Sequence, residues 1–166
     1  MDRSLKLYKA LIWLSLYGAI LHFFDNVYFF DQYPEPAWLN PTAVALLLIP
    51  LILLAHRAVD RIYVGKADRS YSLVHGFVSG SWLSLGHYLF ASPDQILPRI
   101  NAIIAIQVIL ATALFLFALW LQYRRAPQSL RYTGRAWAKN LVLYAVAITV
   151  LETLWPSSFS DWWHVW

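Results

Sequence analysis

Cysteine is absent from the chain, which removes disulfides, thiolate metal sites and cysteine nucleophiles together. Any chemistry must therefore rest on imidazole, carboxylate, hydroxyl or amide groups. Charge is scarce as well. Charged residues make up 13% of the 166 residues against 60% hydrophobic ones, well outside soluble usage, so the excess apolar surface calls for lipid. No internal repeat or low-complexity tract occurs, which leaves one domain and argues against a transporter built from duplicated halves. The formal charge of +4 does not point to nucleic acid, because the basic residues fall in short loops between apolar runs rather than on one face.

What is present is five apolar stretches, each near the roughly 20 residues that cross about 30 Å of hydrocarbon. They predict an all-α polytopic membrane bundle of five transmembrane helices. The spans run from about Leu5 to Phe30, from Pro41 to Ala55 or on to Ile62, from Ser70 to Ala91, from Pro98 to Leu121, and from Asn140 to Trp155. Lys and Arg are retained on the cytoplasmic side, and twelve of the thirteen fall on one side: Arg3, Lys6 and Lys9; Arg57, Arg61, Lys66 and Arg69; Arg124, Arg125, Arg131, Arg135 and Lys139. Only Arg99 lies opposite, with Asp31, Glu35, Asp94 and Asp161. This places the N-terminus in the cytoplasm and the C-terminus outside, in a multi-pass protein of a cell or inner membrane. A cleaved signal peptide is rejected for the first stretch, which is too long, contains His22, Asp25 and Asn26, and lacks a small-x-small site. Tyr33-Pro34-Glu35-Pro36-Ala37-Trp38 reads as a rigid outer loop. Residues 156–166, with Trp162, Trp163 and Trp166, read as an aromatic anchor at the outer headgroups.

Ionisable groups inside spans are expensive and mark candidate sites. His22, Asp25 and Asn26 share one helical face by their i, i+3 and i+4 spacing. A rise of about 1.5 Å per residue from Lys9 lifts His22 roughly 20 Å, and the same rise from Asn140 brings Glu152 to a similar depth. The third span carries His87 and Tyr88 outward of Gly76, Gly80 and Ser84, whose four-residue spacing allows close helix approach. Asn101 enters from the fourth span. The expectation is one outward-opening pocket with His22, Asp25, His87 and Glu152 as acid–base residues and Asn26, Tyr88 and Asn101 as ligand contacts. His75 and His56 form a weaker inner cluster, in which His56 reads better as an interfacial residue beside Arg57 and Asp60, as does His164. The plainer alternative is that these groups only lock helices, since polar atoms in lipid must find partners anyway.

Three functional classes remain open. The first is an intramembrane enzyme or receptor for a lipid-like small molecule, where imidazole and carboxylate in a low dielectric exchange protons with an apolar substrate. Here the His22 and Asp25 pair, the loop residues Pro36-Ala37-Trp38 and the Gly86-His87-Tyr88 end of a later span resemble the polar positions of the EXPERA family, the emopamil-binding sterol isomerases and their receptor relatives. The resemblance covers about a third of the chain and departs at His87, where the family pattern carries an acid after the glycine. It implies sterol- or lipid-like substrates and no metal. The second class is cofactor or metal binding: His22 and His87 would bracket a haem, or join Asp25 and Glu152 around zinc or iron. His75 and His87 lie about 120° apart around a helix and share no face well. The residues name no cofactor. The third class is a small accessory subunit of a larger membrane complex or a transporter, with the polar cluster as a proton relay; its partners would be that complex or further copies in a homo-oligomer.

Overall fold

In the computed structural model, which describes residues 2–130 and Val142, every regular element among the described residues is helical. Four helices follow one another: α1 (Arg3–Tyr28), α2 (Pro41–Tyr63), α3 (Ala67–Trp82) and α4 (Pro98–Arg125). Short 3₁₀ turns cover Phe30–Gln32 and Pro127–Ser129, and a longer 3₁₀ stretch, Leu83–Leu89, continues α3. The apolar stretch at 140–155, Glu152 and the aromatic tail at 156–166 lie outside the described residues.

The helices begin and end where local chemistry dictates. Asp2 caps α1 by accepting from the Leu5 amide at 3.0 Å, and Asn40 caps α2 by accepting from Ala43 at 2.9 Å, just ahead of Pro41 at the first helical position. Gly65, with φ of 73°, ends α2. Its amide bonds to the Ile62 carbonyl and the Lys66 amide to the Arg61 carbonyl, the paired bonds of a Schellman stop. That turn sends α3 back alongside α2.

Three of the helices, α1, α2 and α4, are long and apolar enough to cross a membrane. At about 1.5 Å per residue they extend roughly 35–42 Å, more than a hydrocarbon core needs. Around the bundle α1 packs on α2 and α4, and α3 packs on the same two neighbours. On α4 the buried positions Ile100, Ile104, Gln107, Ala111, Leu114, Ala118 and Leu121 recur every three or four residues, which makes one inward stripe. The opposite faces carry exposed large apolar side chains such as Leu46, Leu53, Ile109 and Leu116, a surface that suits lipid and not water.

Within the bundle the side chains are layered. The middle holds Ile12, Leu16, Ala19, Val74, Phe77, Val78, Ala111 and Leu114. Toward the basic end a polar layer joins Tyr8 to Ser70, and His75 to Gln122 at 3.1 Å, while Arg125 closes on Asp2 and Ser4. His56 is exposed and lies edge-on to Trp13, so it does not share the partner of His75. The opposite end holds the candidate site.

Gly65→Ala isolates the backbone term, because a Cβ there meets nothing within 4 Å while its φ is left-handed. The substitution is expected to cost about 1 kcal/mol, and Gly65→Asn less, both read from thermal unfolding in detergent. Equal melting of wild type and G65A would show that this turn carries no strain.

Candidate functional site

The C-terminal end of α1 places His22, Asp25 and Asn26 on its buried face. Two further elements bring partners to it through geometry that differs from a regular helix. Beyond Trp82 the chain tightens to 3₁₀ winding, in which residues three apart eclipse one another. Ser81, Ser84 and His87 are accordingly buried in register while Leu83, Leu85 and Leu89 face outward. A continued α-helix would have advanced His87 by about 60° away from Ser84. The third predicted span is thus α-helical only to Trp82. The second element is the loop after α1, where Pro34 and Pro36 bracket Glu35 and fold its side chain back onto Asn26.

From α4 comes Gln107, buried mid-helix. Its approach to α1 depends on Gly18, where a Cβ would stand 2.9 Å from the Leu110 methyl and 3.7 Å from the Gln107 Cα. Ser15 bonds to the Leu110 carbonyl at 3.0 Å one turn below.

These elements assemble a continuous polar chain. Gln107 Oε1 meets His22 Nδ1, and His22 Nε2 lies 3.2 Å from His87 Nε2. His87 Nδ1 stands 3.5 Å from Glu35 Oε1, which also accepts from Asn26 Nδ2 at 2.6 Å. The Tyr33 ring stacks on His22 with centroids 5.8 Å apart and lies 5.2 Å from the His87 ring. Three of the groups retain unused capacity: Asn26 Oδ1, His87 Nδ1 and Gln107 Nε2 are buried without a hydrogen-bond partner among the described residues.

Beside the chain is a cavity of about 180 Å³. His22, Asn26, Glu35, Ser84 and His87 form its polar end. Its apolar wall is built largely by α2, through Val44, Leu47, Pro50 and Leu51, with Trp38 from the loop.

The predicted residues separate into groups. His22, Asn26 and His87 meet at the cavity. Asp25 instead holds the outer end of the loop: Arg99 Nη1 bonds to it at 2.5 Å and the Tyr33 hydroxyl donates to it at 2.7 Å. Arg99 also donates to Gln32 at 2.9 Å and lies over the Phe29 ring. Tyr88 donates to Asn101 Oδ1 at 3.0 Å, and Asn101 Nδ2 donates to the Pro93 and Ile96 carbonyls. That pair braces the turn between the 3₁₀ stretch and α4 and does not line the cavity. Glu152 lies outside the described residues. Sequence reasoning passed over Glu35 and Gln107, although each carried a signal: an acid between two prolines, and a lone amide in the apolar run between Asn101 and Gln122.

Burial raises Glu35 from its ordinary value of 4.5 to about 7, against a smaller lowering by the Asn26 amide. Tyr33 is held well above its usual range by burial first and then by its bond to Asp25. Near neutral pH the Glu35 carboxyl therefore exists in both protonation states, beside an imidazole able to exchange its proton. Among the described residues no group of three His, Asp or Glu is arranged to hold an ion. Compared with known proteins, the chain matches no protein-family model, no curated protein and no solved structure.

A raised carboxyl has a definite sign in stability. The unfolded chain ionises Glu35 near 4.5 and the folded chain near 7, so its contribution is full below the first value and lost as pH rises through the second. That loss is at most about 3.5 kcal/mol, with about 1.4 kcal/mol per unit. Melting curves of wild type and Glu35→Gln between acidic and mildly alkaline pH are expected to diverge, the wild type losing stability across this window and the variant staying flat. Parallel curves would mean that Glu35 titrates as an ordinary exposed acid.

Proposed function

We propose that the chain is a multi-pass membrane protein with five spans and a cytoplasmic N-terminus, and that its outer half holds an acid–base site for an apolar or amphipathic small molecule. Membrane crossing is supported by the three long apolar helices, their outward-facing apolar side chains and the one-sided Lys and Arg. The reading also takes in α3, whose 16 α-helical and 7 3₁₀ residues extend about 38 Å together, because the tighter winding rises about 2.0 Å per residue. Its polar inner face then borders a protein interior, the place where polar residues are tolerated in a bilayer.

One observation carries the chemical reading: an apolar cavity closed at one end by a carboxyl, two imidazoles and the unpaired acceptor Asn26 Oδ1. The apolar walls suit the body of a lipid- or sterol-like molecule, and the polar end suits a single head group or reacting atom. Glu35 delivers a proton and His87 receives one, with His22 and Gln107 behind them. Removal and return of a proton on an apolar skeleton, an isomerisation, needs no other participant. This is the chemistry that the resemblance to the sterol isomerases implies, with Glu35 and His87 here in the acid–base roles. A haem-binding role is not favoured, since the imidazoles already meet at 3.2 Å.

Protein in nanodiscs is titrated with a fluorescent sterol alcohol and, separately, a fluorescent fatty alcohol. Leu47 lines the cavity yet is 42% exposed, so Leu47→Trp can fill the space without overpacking the core. It is expected to weaken saturable binding about tenfold or more, while His87→Gln leaves binding within a few-fold and stops turnover of a competent substrate. Wild-type affinity in L47W overturns the assignment of the cavity as the binding site.

A further inference from the structure

Behind the acid–base pair stands an amide whose role the cavity does not explain. Gln107 is 1% exposed, touches His22 through Oε1, and has no partner for Nε2 among the described residues. An unpaired buried amide N–H₂ is costly, so a purely packing role would be better served by Leu or Met.

A neutral imidazole has one N–H and one lone pair, and each hydrogen bond in the chain decides the next. With Gln107 Oε1 toward His22, the His22 proton must sit on Nδ1. His22 Nε2 is then an acceptor, so His87 must donate from Nε2. That leaves the His87 Nδ1 lone pair facing Glu35 Oε1 at 3.5 Å. A protonated Glu35 completes the chain; once Glu35 has given its proton to the substrate and His87 has taken one, the His87 Nδ1–H bond breaks and the Glu35 O–H bond re-forms, which restores the neutral pair. Turning the amide reverses every step. His22 would donate from Nε2, and His87 would hold its proton on Nδ1 and point it at an ionised Glu35, leaving His87 no lone pair on that side to receive a proton.

We propose that Gln107 is a positioning residue, which fixes the direction of the hydrogen bonds through His22 and so presents the His87 Nδ1 lone pair to Glu35 and the cavity. The inference rests on the acid–base reading of this site. It accounts for the amide deep in an apolar helix and for the close α1 to α4 approach at Gly18 that brings Gln107 to His22.

Nitrogen-15 labelling of histidine distinguishes protonated from unprotonated ring nitrogens without reference to activity. In the full chain at pH about 6, below the Glu35 titration, His22 is expected to carry its proton on Nδ1 with Nε2 bare, and His87 to be protonated on Nε2. Gln107→Met, close in volume, is expected to abolish the single His22 tautomer and to alter His87 with it. In a His22→Asn background the link is cut, and Q107M is expected to leave His87 unchanged, whereas a merely structural effect of Gln107 would move His87 in both backgrounds. A wild-type His22 protonated on Nε2 overturns the proposal by itself, even if the variants fail to fold. Sterol-alcohol binding that persists with the reversed tautomers defeats this inference alone; correct tautomers with no ligand bound defeat the reading of the cavity alone.

Discussion

His22 is the contact on which the end of the bundle opposite the basic residues depends, because one ring joins three elements that local sequence does not hold together. Its Nδ1 meets α4 through Gln107, its Nε2 meets the 3₁₀ continuation of α3 through His87, and its face stacks on Tyr33 of the loop after α1. In an apolar surrounding each of these polar atoms would be expensive alone. Satisfying them in one place gives the bundle a single way to close at this end. The same economy leaves Asn26 Oδ1 and His87 Nδ1 buried without a hydrogen-bond partner among the described residues, in side chains that border the cavity.

Two devices make that meeting possible, and both concern backbone distance. At Gly18 the missing side chain lets α1 and α4 approach until Gln107 reaches His22. Past Trp82 the chain winds more tightly, so that His87 lines up over Ser84 and Ser81. The first sets reach and the second sets direction. Arg99 supplies a third constraint at the rim. By pairing with Asp25, which also takes the Tyr33 hydroxyl, it secures the loop that carries Glu35 inward. An ion pair at the rim thereby helps to place Glu35 at the cavity without lining it.

The helical architecture was legible because it follows from periodicity and composition. The three long apolar helices rest on residues adjacent in the chain. Parts of the site were legible for the same reason: His22 and Asn26 share a face by helical spacing alone. The partner of Asp25 was not, since an acid one turn from an imidazole is as close in sequence to His22 as Arg99 is distant. Glu35 escaped because an acid in an extended loop reads as solvated until the prolines are seen to turn it inward. Gln107 escaped because a neutral amide carries no charge to draw attention to its depth.

Sequence by itself determined that the chain is helical, that it has more apolar residues than a soluble core can hide, and that its histidines and few acids would be costly wherever they were buried. Only the tertiary structure decided which of those groups meet. Helical phase specifies a face, but a hydrogen bond requires placement to within a few tenths of an ångström, and that depends on how closely α1 and α4 pack and where α3 changes its winding.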